Sequence, residues 1–343
     1  MAKIKPSKGS PYARILGVGG YRPVRVVPNE VILETIDSSD EWIRSRSGIE
    51  TRHWANDEET VAAMSVEASG KAIADAGISA GQIGAVVVST VSHFKQTPAV
   101  ATEIADKLGT NKAAAFDISA GCAGFGYGLT LAKGMVVEGS AEYVLVIGVE
   151  RLSDLTDLED RGTAFLFGDG AGAVVVGPSD EPHIGPTVWG SEGDKSETIK
   201  QTVSWHEYHI GDVTNLPLDS EGNVKFPAIT QQGQAVFRWA VFEMAKVAKE
   251  ALDAAGITAD ELDVFIPHQA NERIIDSMVK TLKLPESVTV ARDVRTTGNT
   301  SAASIPLAME RLLATGEAKS GDTALVIGFG AGLVYAATVV TLP

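Results

Sequence analysis

YVLVIGVE, Tyr143 to Glu150, returns 180 residues later as TALVIGFG, Thr323 to Gly330, with Gly148 matched to Gly328. A second pair keeps nearly that spacing. DAGISAGQIGAVVVS, from Asp75, matches DAAGITADELDVFIPH, from Asp253, so that Gly77 meets Gly256 and Ile83 meets Leu262. Two independent segments at almost one offset mark a duplicated unit. Each copy joins a helix, closed by glycine, to a short apolar strand. Each half is therefore expected to be an α/β layer, a core sheet covered by helices, with the halves packed face to face about a pseudo-two-fold axis.

Between the matched segments of the first half lies AAAFDISAGCAGFGYGLTLAKGMVV, Ala113 to Val137, which holds Cys122, the only cysteine in the chain. Ala113 to Ile118 reads as a buried strand. Phe125, Leu129, Leu131 and Met135 recur at helical spacing until Gly139. Cys122 thus falls where a strand turns sharply into a helix, and the free N–H groups of a first helical turn favour thiolate over thiol. A lone cysteine is ordinarily a small buried hydrophobe. The small residues of AGCAG argue otherwise, because they let a substrate or another backbone approach the sulfur. The offset carries Cys122 to position 302, inside GNTSAAS (Gly298 to Ser304), which also precedes an apolar-periodic helix.

Working outward, the 343 residues suffice for one large or two medium domains. With 44% hydrophobic and 21% charged residues the chain is globular, and no apolar run reaches the ~18 residues of a membrane span. A net charge of −15 speaks against nucleic acid and anionic membrane as partners. One cysteine fits a reducing cytoplasm. The N-terminus lacks the apolar core of a signal peptide. The expected organisation is a flexible tail at 1–12, an N-terminal half at 13–180 carrying the nucleophile, a loop and hairpin insertion at 181–230, and a C-terminal half at 231–343.

Further candidate residues stand elsewhere. SSDEWIRSRSGIETRH, Ser38 to His53, sets Trp42 among Arg44, Arg46 and Arg52. Stacking and positive charge suit a nucleotide; the plainer reading is an exposed helix with an anchoring Trp. GVGG, Gly17 to Gly20, lacks the spacing of a dinucleotide fingerprint. His206 and His209 have metal-like spacing but no supporting cluster, so no metal site is expected. His268 ends the strand DVFIP, at a sheet edge where ligand crevices form.

AGCAGF, DRGT…FGDGAGA, HQAN, GNTSAAS and GFGAG stand in this order over nearly the whole chain. Together they resemble the thiolase-fold condensing enzymes, and within them the β-ketoacyl-acyl carrier protein synthase III family, which initiates bacterial fatty acid synthesis. The resemblance implies a thiolase-like αβαβα layered fold of two pseudo-two-fold-related halves with mixed five-stranded core sheets. It implies a triad of Cys122, His268 and Asn299, no cofactor because the CoA thioester is a substrate, and an oxyanion hole from the backbone N–H groups of Cys122 and Ala331. The family usually has three glycines after Phe329; here they are Gly330, Ala331 and Gly332.

The same resemblance assigns CoA contacts to Trp42, Arg46, Arg161, Asn271 and Ser38, the last in place of the usual threonine. It assigns carrier-protein contacts to Gln269, Ala270, Asn271, Glu272, Arg273 and Lys280. Thr97 and Phe329 are expected at the acyl pocket, Thr97 reaching into the pocket of the partner in a homodimer. A thiolase would need a second cysteine, and elongating synthases carry histidine where Asn299 stands. A non-enzymatic scaffold would be expected to lose the nucleophile. Fatty acid initiation and the priming of a polyketide are both left open.

Overall fold

The computed structural model describes residues 3–210, 217–219 and 222–343. The first half contains β1 (Tyr12–Tyr21), β2 (Arg25–Pro28), α1 (Asn29–Ile32), α2 (Asp40–Ser47), β3 (Thr51–Trp54), α3 (Val61–Asp75), β4 (Ile83–Ser89), α4 (Val100–Leu108), β5 (Ala114–Ile118), α5 (Gly124–Glu138), β6 (Tyr143–Arg151) and β7 (Asp169–Ser179). There follow β8 (Val188–Gly190), β9 (Ile199–Gln201), α6 (Trp205–Ile210), β10 (Ile229–Gln231), α7 (Gly233–Ala255), β11 (Val264–Pro267), α8 (Glu272–Leu282), β12 (Thr289–Val290), α9 (Val294–Thr297), α10 (Ser304–Thr315), β13 (Thr323–Gly330) and β14 (Val334–Thr341).

The first sheet has the order β1-β7-β6-β4-β5 and the second, read from its far edge, β8-β14-β13-β11-β12. Pairings correspond one to one: antiparallel for the first two contacts, parallel for the last two. The duplication legible at the two matched segments therefore extends to whole sheets.

Both faces of each sheet are covered, which is why the strands read as unbroken apolar runs. Along β4, Ala85 and Val87 face the shared centre, while Val86 and Val88 face α3 and α4. The centre is filled by α5, through Phe125, Leu129, Ala132 and Val136, and by α10, through Ile305, Ala308, Met309 and Leu312. On the far side α7 and α8 cover the second sheet. The layers run α3/α4, sheet, α5/α10, sheet, α7/α8, the expected αβαβα arrangement. Arg22 ties the halves together through Asp293 at 3.1 Å and Glu310 at 2.8 Å.

Two expected boundaries need correction. The 181–230 segment is not only loop and hairpin, because β8 pairs with β14 and completes the second sheet. Its polar, weakly periodic sequence hid a three-residue edge strand. Nor is 1–12 wholly a free tail. Ser10 bonds Val136 O at 3.2 Å and Ser179 O at 3.0 Å, and Ser7 bonds Glu138 at 2.9 Å, at the end of α5.

Candidate active site

β5 runs out at Ile118, and a single 3-10 turn, Gly121–Ala123, precedes α5. Gly121 has φ +48°, a left-handed value that favours glycine. At the end of β13, a Cβ on Gly330 would stand 2.9 Å from the Cys122 sulfur and from its backbone nitrogen. Glycine there lets the second half close against the nucleophile. A Cβ on Gly121 would lie 3.4 Å from Ala331 N, so the two backbones of the expected oxyanion hole meet at this point.

The charge state of Cys122 differs from the expectation. Burial pushes the thiol up to about 12, and the charge of Glu150 adds to the shift. The Ser301 hydroxyl and the residue's own N–H act the other way and are outweighed. The sulfur sits on the turn before α5, inside a largely apolar cavity, where desolvation exceeds what a helix end returns. Cys122 rests as a thiol.

His268 follows β11 directly and is 2% exposed. Its backbone N–H donates to Ile327 O at 2.7 Å, and its ring meets the edge of Phe329 with centroids 5.3 Å apart. Desolvation lowers its pKa to about 3, so it is neutral at physiological pH. Nδ1 lies 2.7 Å from Ser304 Oγ, which also accepts the Gln269 N–H at 3.3 Å. With the Ser304 hydroxyl donating to Nδ1, the neutral imidazole carries its one proton on Nε2 as a donor. Asn299 is anchored by its backbone to Leu166 and Gly168. Its Oδ1 accepts the Ser301 N–H at 2.8 Å, which leaves the amide Nδ2 as the donating end.

Cys122, His268, Asn299, Phe329 and Ala331 line one cavity of about 520 Å³. The structure thus brings together the three expected triad residues, one expected acyl-pocket residue and one expected oxyanion residue. Thr97 is not among them. It is exposed, and Lys95 and Gln96 reach the cavity instead.

Outside the cavity mouth, α2 presents Trp42 with the Arg161 guanidinium 4.8 Å over its ring and that of Arg46 at 5.9 Å. Phe165 supports the indole edge-on, at 5.4 Å. Asn271 Nδ2 donates to Arg46 O at 2.9 Å, and its neighbour Ala270 lines the cavity, so this cluster joins the rim. Ser38 Oγ is buried with no hydrogen-bond partner among the described residues. The other arginines of the segment are not free. Arg52, on β3, is fully buried and bonds Val27 O on the paired strand β2, Asn29 and Phe165 O. Arg44 pairs with Asp40 at 2.7 Å.

On α8, Arg273 and Lys280 are exposed and share a face. Neither forms an ion pair among the described residues, and Arg273 lies 4.9 Å over the Phe237 ring. The acids that narrow this patch in the sequence are tied up: Glu272 by Arg292 at 2.8 Å and by Arg295, Asp276 by Arg292 at 2.7 Å. Gln269 must leave the set of carrier-protein contacts. It is fully buried, donating to Pro267 O and Ala291 O and accepting from Val294 N.

Family profiles described as 3-oxoacyl-[acyl-carrier-protein] synthase III match residues 116–193, and for its C-terminal part residues 252–342. The chain is 90% identical over 343 residues to β-ketoacyl-[acyl-carrier-protein] synthase III 1 of Streptomyces coelicolor, covering all of both chains. The chain belongs to the synthase III family. The corresponding protein of Streptomyces avermitilis is 88% identical over 355 aligned residues, again covering both chains fully. Among solved structures, the priming β-ketosynthase from the R1128 polyketide biosynthetic pathway has a TM-score of 0.92 at 45% identity, covering 100% of this chain and 98% of that one.

Three residues of this synthase III site escaped the sequence reading. Ser304 orients His268. Ser301 sits at φ +46°, rare for a residue with a side chain. Glu150 is a fully buried acid. The available signals were a glutamate closing the apolar run YVLVIGVE and a serine at the counterpart of Gly121.

Proposed function

We propose that this synthase III condenses an acyl-CoA primer with malonyl-acyl carrier protein, giving 3-oxoacyl-acyl carrier protein, CoA and CO2, the first step of fatty acid synthesis. The observation that carries the reading is the sharing of one cavity by a nucleophilic thiol, a neutral histidine and an amide donor. The Cys122 sulfur attacks the thioester carbonyl, CoA leaves, and an acyl-enzyme stands in the cavity. The tetrahedral oxyanion is stabilised by the N–H groups of Cys122 and Ala331. Malonyl-acyl carrier protein then enters. Its carboxylate departs as CO2, and the charge arriving on the thioester oxygen is met by His268 Nε2–H and Asn299 Nδ2. The neutral imidazole donates through its one N–H. The enolate carbon attacks the acyl-Cys122 carbonyl and frees the thiolate.

CoA reaches this point from the Trp42 cluster. An adenine enters between Trp42 and Arg161, which part by about one ring thickness. Arg46 meets phosphate, and the unpartnered Ser38 hydroxyl faces the same ligand. The carrier protein, an acidic partner, docks on Arg273 and Lys280. The enzyme works in the cytoplasm as a homodimer. The clustered rings of Phe94, Trp205 and Phe226, edge-on or tilted to one another and all more than two-fifths exposed beside the cavity, suit cover by a second copy. Among the described residues no helix is long and apolar enough to cross a membrane.

Thr97, exposed on its own protomer, enters the partner's pocket and leaves room for branched primers. Each extra buried methylene then favours the larger primer by ~0.8 kcal/mol, about fourfold. Isobutyryl-CoA and acetyl-CoA are both accepted, and Thr97→Phe shifts kcat/KM toward acetyl-CoA. An unchanged ratio would remove Thr97 from the pocket. The likeness to a priming ketosynthase favours a second reading, starter-unit supply to a polyketide. Comparing kcat/KM on a fatty acid carrier protein and on a polyketide carrier protein decides between them. At least a tenfold preference for the former is expected; the reverse order would establish the second reading.

A further inference from the structure

Behind the nucleophile lies a polar group that the mechanism above does not use. Glu150, at the end of β6, is fully buried. Its Oε2 accepts from Ser92 Oγ at 2.6 Å, Val91 N at 3.1 Å and Thr90 Oγ1 at 3.3 Å. Its Oε1 has no hydrogen-bond partner among the described residues. Ser301 lines the same cavity as Cys122 and as Thr90, the residue bonded to this carboxyl, and its hydroxyl favours the ionised form of both Glu150 and Cys122. Ser301 holds a strained φ of +46° to stand there, where its counterpart in the other half is glycine. A buried acid with a free oxygen, a hydroxyl that acts on both it and the thiol, and backbone strain at the residue that carries the hydroxyl converge on one role.

We propose that Glu150, acting through the Ser301 hydroxyl, accepts the Cys122 thiol proton during acyl transfer. The proposal rests on the acyl-transfer reading given above. As sulfur attacks the acyl-CoA carbonyl carbon, the thiol proton passes to Ser301 Oγ and the Ser301 proton to Glu150. The new carbon–sulfur bond forms and the bond to CoA breaks. The CoA thiolate takes the proton back from Glu150 through Ser301, so the net change is thiol plus acyl-CoA to acyl-thioester plus CoA thiol. His268 is left neutral throughout for the second step.

Burial supports the role by raising Glu150 to about 7, so it is a carboxylate through the upper physiological range. Thiolate and carboxylate side by side disfavour one another, so the pair holds one proton between them. The titratable group facing Glu150 is Cys122, a thiol at rest; Thr90, Ser92 and Ser301 face it as hydroxyls. Arg151 and Asp169, beside it on β6 and β7, are engaged elsewhere, Arg151 with Asp154 and Asn56 O, and Asp169 with Ala55 N and Ser153.

The test is the rate of acyl-Cys122 formation from acetyl-CoA, followed by rapid quench and intact mass from pH 5.5 to 9. Wild type should show one inflection near pH 7, with the faster limb on the alkaline side. Glu150→Gln keeps an acceptor for Ser92 and should lose the inflection and at least about tenfold in rate at pH 8. Ser301→Gly keeps the N–H that holds Asn299 and relieves the strain. It should match or exceed wild type in Tm yet acylate slowly and without the inflection. Either variant acylating at the wild-type rate, or acylating slowly with the inflection intact, overturns the proposal. Absence of acyl-Cys122 in wild type would instead overturn the acyl-transfer reading itself.

Discussion

At Gly121–Ala123 and at Ser301–Ala303 the chain makes the same 3-10 turn ahead of a central helix, with φ +48° at Gly121 and +46° at Ser301. Each turn packs on a glycine of the opposite half. A Cβ on Gly328 would stand 2.8 Å from Cys122 O, and one on Gly148 would stand 2.1 Å from Ala302 O. The chemistry at the two turns differs. The first has a thiol at its tip; the second has alanine, and its half places its donors on the segment before the turn, at Asn299, and after β11, at His268. Where β13 ends in Gly330 and leaves room for the sulfur, β6 carries Glu150, its next-to-last residue, and fills the same position with a carboxyl. Duplication supplied one scaffold twice, and in the mechanism we propose the halves divide the work: one holds the acyl group, the other meets the charge that decarboxylation leaves.

The packing side of this comparison carries the largest expected effect. Gly148→Ala and Gly328→Ala both press a Cβ onto backbone, which cannot step aside. Each should destabilise by about 3 kcal/mol, toward the upper end of overpacking costs, with Gly148→Ala the worse. Denaturant unfolding measures it; two neutral alanines would mean that the halves do not close through these glycines.

A pH experiment separates the halves next. His268 is held at about 3, against about 6.5 in the unfolded chain. A depressed value gives stability that is present above 6.5 and lost as pH falls, about 2 kcal/mol between pH 7 and pH 5. Glu150 and Asp169, raised to about 7 and about 6, push the opposite way, since their ionised forms penalise the fold as pH rises. They are common to wild type and His268→Gln, so the difference between those two isolates the histidine. No pH dependence in that difference would mean that His268 is not held neutral.

The smallest effect concerns α8 and its counterpart α4. On α4, Lys107 is paired with Glu103 at 2.9 Å; on α8, Arg273 faces solvent. Arg273→Glu should raise KM for malonyl-acyl carrier protein about tenfold, less so at high salt, and leave KM for acyl-CoA in place. Lys107→Glu should change neither. Equal effects of the two variants would detach the carrier protein from α8.

The sequence discloses most of this through local signals. The glycine pair Gly148 and Gly328 revealed the duplication because close backbone approach demands glycine in both halves. Cys122 and His268 stand out locally, one in the turn that opens α5 and one directly after β11, whereas Asn299 enters only through the family resemblance. What stayed hidden depends on tertiary surroundings. The Cys122 thiol was expected to ionise, since a helix start is visible in sequence while the desolvating cavity is assembled from both halves. The burial of Gln269 is hidden because HQAN gives no sign that its amide turns inward to three backbone groups. The β8 strand was missed because three residues carry no period.

Intact mass of the protein after exposure to acetyl-CoA, alone and then with malonyl-acyl carrier protein, tests the division of labour most directly. Wild type should gain one acetyl group and lose it when the carrier substrate arrives. A His268→Ala, Asn299→Ala double variant should gain the acetyl group and keep it, whereas Cys122→Ala should gain none yet still release CO2 from malonyl-acyl carrier protein. An acetyl group on Cys122→Ala, or a double variant that cannot be acetylated at all, would contradict the assignment of the two steps to the two halves.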